Sequence, residues 1–215
     1  MTPTVVTPKI PTLDIDSETQ KLLPGRLQLL APTPPEWAEI AAKNFSHFLK
    51  DHAACERKAS ASALSFVVKY KDKTELVEAM IALAREELEH FEQVCKLLHS
   101  LGLEQGADEK DSYVNDLLKG LKTEPQERFL DRLVISAIME ARGCERFGLM
   151  AQKLTDPKLA LFYDRLSRAE AKHQLLFIQL AEKYFPSLLV KKRLDELLQL
   201  EARCMLQKPL AAKLY

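Results

Sequence analysis

Seven of the eleven prolines fall within the first 35 residues, and only Pro125, Pro157, Pro186 and Pro209 interrupt the rest of the sequence. Proline lacks a backbone N–H and clashes with the preceding turn, so long proline-free stretches are where helices can run without a break. Ala, Leu, Glu, Lys and Arg fill those stretches, and such side chains lose little freedom in a helix. The chain after Pro35 is therefore predicted to be helical. Residues 1–34, which end within the turn-rich stretch Ala31-Pro32-Thr33-Pro34-Pro35, read as an irregular proline-rich arm suited to lie over the body.

Helix-start chemistry sets the boundaries. Thr33 precedes Glu36, Asp72 precedes Glu75 and Thr123 precedes Gln126, each at the spacing of a capping box. Asp156 before Pro157 is an N-cap followed by proline at the first helical position. These signals predict helices over about 35–70, 73–101, 124–153, 157–184 and 187–204, with a short one near 109–119. The domain division is then an arm at 1–34, a helical domain at 35–204 and a tail at 205–215. Joints near 71–72 and 154–156 are short enough to force antiparallel neighbours, whereas the joint over 102–123 is long. Short, long, short is the connection pattern of an all-α four-helix bundle whose second and third helices run parallel and need a crossover. The segment after Pro186 adds an extra C-terminal helix.

Charge and cysteine usage exclude several classes. Lys and Arg total 31 against 31 Asp and Glu, so no global field recruits nucleic acid or an anionic membrane, although a local patch is compatible. Cys55, Cys95, Cys144 and Cys204 are far apart and form no CxxC, which fits buried thiols in a reducing compartment. There is no apolar run of membrane-spanning length and no basic-then-apolar leader, so a soluble cytoplasmic protein without a membrane partner is expected. No phosphate-binding glycine loop or nucleophile elbow is present.

Two helices carry the same short motif. Arg85-Glu86-Glu87-Leu88-Glu89-His90 and Arg168-Ala169-Glu170-Ala171-Lys172-His173 both contain Glu-x-x-His, 83 residues apart. Residues three apart share a helix face, so each pair aims a carboxylate and an imidazole at one point. Glu56 precedes Glu87 by 31 residues and Glu140 precedes Glu170 by 30, which makes a cryptic twofold repeat of Glu…Glu-x-x-His. Four carboxylates and two imidazoles from four helices suit a dinuclear iron site, because carboxylates compensate the metal charge and can bridge, while neutral imidazoles leave positions open for dioxygen. Glu87 and Glu170 are the expected bridges, with Glu56 and Glu140 as terminal carboxylates. Ser60, Ala63, Ala137, Ala141 and Gly143 keep the neighbouring faces small, leaving room for metal and a substrate channel.

Rival readings sit beside this one. Cys144-Glu145-Arg146 echoes Cys55-Glu56-Arg57, so Glu145 competes with Glu140, and the 30/31 spacing favours Glu140. His52 reads as a satisfied core histidine or an outer partner of Glu56. His47 and His99 read as surface, and Glu86, Glu89 and Glu92 as a solvated face. Phe45, Phe48, Phe147, Phe162, Tyr163 and Phe177 read first as core, a subset being suited to an apolar pocket. Arg57, Lys58, Lys69, Lys71 and Lys73 form one basic stripe and Lys191-Lys192-Arg193 another, both read as solvated surface. Another diiron oxygenase, a ferroxidase, or a metal-free helical interaction module are the alternative functions.

The stretches Asp51–Ala59, Leu83–Phe91, Glu140–Phe147 and Ser167–His173 together resemble the bacterial tRNA 2-methylthio-N6-isopentenyladenosine hydroxylase (MiaE) family over roughly residues 35–185. The resemblance implies a ferritin-like, non-haem diiron monooxygenase that hydroxylates the isopentenyl group on adenosine 37 beside the anticodon. It implies two Fe ions held by Glu56, Glu87, His90, Glu140, Glu170 and His173, dioxygen as co-substrate, hypomodified tRNA as partner, and an electron-donor protein or reductase.

Overall fold

A computed structural model describes residues 27–215, so most of the proline-rich arm lies outside the described residues. Seven helices occupy the described chain: α1 (Glu36–Lys43), α2 (Phe45–Lys69), α3 (Thr74–Ser100), α4 (Ser112–Leu118), α5 (Pro125–Lys153), α6 (Pro157–Tyr184) and α7 (Ser187–Leu206). α2 packs along α3 and α5 along α6, giving two hairpins. No described helix is long and apolar enough to cross a membrane.

The buried residues reveal the direction of each helix. One apolar cluster takes Ala63 and Phe66 from α2, Leu76 to Leu83 from α3, Phe129 to Ile138 from α5, and Phe177 and Leu180 from α6. At the opposite end of the bundle, Phe48, Phe147, Met150, Tyr163 and Leu166 form a second cluster, and Leu49, Ala53, Val94 and Leu98 a third. α3 and α5 thus both begin in the first cluster, while α2 and α6 end there. The second and third long helices run parallel, and residues 101–124 with α4 provide the expected crossover. Between the apolar ends lies a polar layer of Glu56, Glu87, His90, Glu140, Glu170 and His173, all buried. These occupy the same helical stripe as the apolar residues on either side, which is why the periodicity carries them inward.

The start of the first helix differs from expectation. The helix predicted over 35–70 is broken at Asn44 (φ −114°, ψ 41°) into α1 and α2. Asn44 donates from both its backbone N–H (3.1 Å) and its side-chain Nδ2 (2.9 Å) to the Ile40 carbonyl, the local competition that makes asparagine a poor interior helix residue. The capping boxes also differ. α1 and α3 have no side-chain cap, and α5 is capped by Glu124, which accepts from the Glu127 N–H at 2.8 Å with Pro125 following. Thr33 is drawn elsewhere, donating to Glu145 at 2.6 Å and accepting from Arg142 at 2.9 Å. Asp156 does cap α6, accepting from Lys158 and Leu159. Cys144 and Cys204 are buried, whereas Cys55 and Cys95 are only partly so.

α7 and the segment after it close one side of the bundle. α7 packs against α5, α4 and α6. Residues 207–215 then fold back, with Ala212 and Leu214 buried in the second apolar cluster. The Trp37 indole N–H donates to Lys213 O at 3.1 Å, Arg146 to Leu214 O at 2.8 Å, and the Leu214 N–H to Asp51 at 2.7 Å.

Candidate functional site

The polar layer resolves into two overlapping groups. Ligand-type atoms of Glu56, Glu87, His90 and Glu170 all lie within 4.8 Å of one another, as do those of Glu87, Glu140, Glu170 and His173. Glu87 and Glu170 belong to both groups, while each imidazole belongs to one. That sharing follows from the Glu-x-x-His spacing, because α3 and α6 each bring a carboxylate to the middle and a histidine to one side.

Aligned hydrogen bonds such as that between His173 Nδ1 and Glu170 Oε2 satisfy only part of the layer. His173 Nδ1 is 2.9 Å from Glu87 Oε1 and 3.3 Å from Glu170 Oε2, and His90 Nδ1 is 3.5 Å from Glu87 and 3.8 Å from Glu56. Yet both Glu87 oxygens, His90 Nδ1 and His173 Nε2 are buried without an aligned hydrogen-bond partner. Buried polar atoms normally find partners, and a set left over on groups facing one another points to a shared external partner.

Electrostatics carry the same signature. Burial, followed by the neighbouring carboxylates Glu87 and Glu170, pushes Glu56 well above the usual carboxyl range. Burial and Glu170 do the same to Glu140. Burial opposes ionisation of Glu87 as well, but contacts with His173 and His90 outweigh it and hold that carboxyl well below its ordinary value. For His173 burial disfavours the charge, yet Glu170 and Glu87 push it up to about 12. Without a cation, these raised values favour protons on Glu56, Glu140, His90 and His173, which offset the negative charge gathered in the layer. A divalent metal provides the same neutralisation while satisfying the idle lone pairs, so the donor set fits metal binding.

The surroundings separate the rival residues by what each one touches. Glu145 does not enter the layer, since its carboxylate accepts from Arg142, from the Thr33 N–H at 3.0 Å and from the Thr33 hydroxyl. His52 is fully buried, with Nε2 2.7 Å from Glu56 Oε1 and Nδ1 3.4 Å from the Tyr163 hydroxyl. Phe48, Phe147, Phe162 and Tyr163 surround its ring, and burial lowers its pKa to about 3, so the imidazole is neutral. Against an ionised Glu56 the single ring proton sits on Nε2 and donates to the carboxylate. His47 and His99 are exposed, as are Glu89 and Glu92. Glu86 departs from the solvated reading, because its half-exposed carboxylate lies 3.4 Å from His173 Nε2. Position 86 sits four residues before His90 on α3, and nothing in the sequence signals a contact with a histidine on α6.

A cavity of about 520 Å³ opens beside Glu140, between α2, α4 and α5. Ala59, Ala63, Phe66, Met139 and Phe177 give it an apolar wall, and Lys58, Lys110, Arg128 and Arg132 also line it. The Arg132 guanidinium lies 4.0 Å over the Phe66 ring and donates to Ser65 at 2.6 Å, which fixes one of these cations. Within the two basic stripes of the sequence, Lys58 reaches this cavity, whereas Arg193 is tied to buried Asp131 and to Gly120 O.

Comparison with known proteins places this geometry in context. The family model described as tRNA-(MS[2]IO[6]A)-hydroxylase (MiaE) matches residues 20–213. A tRNA 2-(methylsulfanyl)-N(6)-isopentenyladenosine(37) hydroxylase of Pseudomonas putida is 37% identical over 153 residues, covering 71% of this chain and 74% of that protein. The enzyme of the same description from Salmonella typhimurium is 28% identical over 204 residues, covering 72% and 75%. A solved structure described as protein 43 with aldehyde deformylating oxygenase activity, from Synechococcus, superposes with a TM-score of 0.81 at 35% identity, covering 86% of this chain and 94% of that one. With a four-helix bundle of ferritin-like topology, a buried carboxylate and histidine layer at its centre and a match along nearly its whole length, the chain belongs to the MiaE family of tRNA hydroxylases.

Proposed function

We propose that this protein is a diiron monooxygenase that hydroxylates the isopentenyl group of 2-methylthio-N6-isopentenyladenosine at position 37 of tRNA, using dioxygen and electrons from an external donor. The observation that carries the reading is the buried layer of four carboxylates and two imidazoles, in a chain of this family, with idle lone pairs facing one another. Glu56, Glu87, His90, Glu140, Glu170 and His173 would hold two irons, Glu87 and Glu170 being the carboxylates common to both groups of donor atoms. Iron held there supplies the dioxygen activation and C–H oxidation that no protein side chain can perform alone.

The chain's own residues do the rest. His52 holds one oxygen of Glu56 through its Nε2 proton, leaving the other free toward the layer. The two apolar clusters above and below keep water from the layer, which strengthens each charge interaction inside it. The apolar wall of the cavity matches a five-carbon isopentenyl tail and brings it to Glu140, where the chemistry is placed. Lys58, Lys110, Arg128 and Arg132 offer cations to the phosphates flanking the modified base, the sequence-independent part of nucleic-acid binding.

The test is iron content and Mössbauer spectroscopy on protein produced with iron-57, followed by assay on tRNA lacking only the hydroxyl. About two coupled irons per chain and reductant-dependent formation of the hydroxylated nucleoside are expected. Folded protein that takes up no iron after anaerobic ferrous reconstitution, or that holds iron and leaves this tRNA unchanged, would overturn the proposal.

A further inference from the structure

Tyr215 is a wall residue that the ligand set does not use. It lines the large cavity together with Glu140, and it also lines a smaller cavity of about 180 Å³ formed with Arg146, Met205 and Leu210. Among the described residues it is shared by both cavities with Lys110 and Asp111, so the two cavities meet at these three residues.

The tip of that ring reaches the polar layer. A Cβ built on Gly143 of α5 would lie 3.2 Å from the Tyr215 hydroxyl and 3.7 Å from Cγ of Glu170. The absence of a side chain at Gly143 is what admits the phenol beside Glu170. Tyr215 is held there from behind, stacked on Tyr113 with centroids 6.3 Å apart and planes 2° from parallel. Its backbone neighbours are fixed by three buried or partly buried side chains, Trp37, Arg146 and Asp51. Burial, and then the fields of Glu140 and Glu170, raise its pKa well above the ordinary phenol value.

We propose that the Tyr215 ring is the inner stop of the substrate cavity and sets the length of the N6-alkyl chain that the enzyme accepts. This rests on the reading of the cavity given above. A chain that fits against the ring ends beside Glu140 and Glu170, whereas a longer one is blocked by it. Replacing the ring by a methyl group joins the two cavities and gives a longer chain somewhere to go.

Equilibrium binding of short RNA hairpins to the metal-loaded protein tests this without turnover. The probes carry adenosine, N6-isopentenyladenosine or the longer N6-geranyladenosine at the loop position, and the proteins are wild type, Tyr215→Phe, Tyr215→Leu and Tyr215→Ala. Wild type and Tyr215→Phe should favour isopentenyl over geranyl, and Tyr215→Ala should shift that ratio toward geranyl by about tenfold or more, tenfold being the lower end of what one methylene is worth in an apolar pocket. Tyr215→Leu should fall between, and it keeps the test open should the alanine variant fold poorly. An unchanged ratio in both the alanine and leucine variants, or an equal shift in Tyr215→Phe, overturns the proposal while leaving the cavity reading intact. Wild-type protein that binds alkylated and unmodified hairpins equally overturns both.

Discussion

Arg142 and Glu201 meet at 2.6 Å with neither side chain exposed to solvent. Every N–H of the guanidinium is used: two go to Glu201, one to Thr33, one to Glu145 and one to the Ala31 carbonyl. Tyr113 donates to the same Glu201 oxygen at 2.8 Å. One buried arginine on α5 therefore ties together α7, the crossover helix and the segment that precedes α1. Removing one member of a buried, hydrogen-bonded pair strands the other charge, so Glu201→Leu should destabilise the fold by about 3–5 kcal/mol in denaturant titration. The double variant Arg142→Met with Glu201→Leu should cost clearly less than the sum of the single changes. Strict additivity would show that the two do not act as a unit.

Glu140 and Glu145 separate by what they touch. Glu140 faces the polar layer, while Glu145 is engaged by Arg142 and Thr33 at the other side of α5. Glu140→Gln should lower iron stoichiometry with the helical circular dichroism unchanged. Glu145→Gln should keep full iron content and lose about 1 kcal/mol of stability, the scale of a weakened charge-assisted hydrogen bond. Equal iron loss in both variants would contradict the assignment.

His52 reaches the site through its contact with Glu56. His52→Phe preserves an aromatic ring in the cage of Phe48, Phe147 and Tyr163 but deletes the 2.7 Å contact with Glu56. Partners of this kind orient a ligand and tune its basicity, and their loss typically weakens metal affinity by about 10–100-fold. Ferrous titration against a competing chelator should show that loss. A fold-only role predicts lower stability with unchanged affinity.

Much of this architecture was legible because the decisive signals are local. The spacing of Glu87 to His90 and of Glu170 to His173, with prolines at 125, 157 and 186, encodes helix, face and register within a few turns of chain. The break at Asn44 was hidden because one asparagine inside a long helix-forming run is a weak signal until its side chain is seen on the Ile40 carbonyl. The capping spacing at Thr33 misled for a different reason, since tertiary partners Arg142 and Glu145 outcompete a local cap. Tyr215 at Gly143 and Glu86 at His173 join residues distant in sequence, and no periodicity encodes such meetings.

Metal removal should expose a pH dependence that the loaded protein lacks. Glu56 and Glu140 have folded-state pKa values above their unfolded ones, as does His173 at about 12. A raised value means the folded protein binds more protons, so the stability these groups contribute is complete below their unfolded values and declines as pH rises toward the folded ones. Glu87 is shifted the other way, and its contribution, lost only as pH falls below the ordinary carboxyl range, is already constant near neutrality. The metal-free protein should therefore melt at progressively lower temperature between about pH 7 and pH 8, above the range in which the lowered value of His52 acts the other way, through the summed effect of Glu56, Glu140, His90 and His173. Divalent iron replaces those protons, so loading should raise the melting temperature most at the upper end of this range and release protons measurable in weakly buffered solution. A metal-free protein whose melting temperature rises over the same interval would show that the buried layer is not neutralised by protons, and would remove the electrostatic reason for metal to bind there.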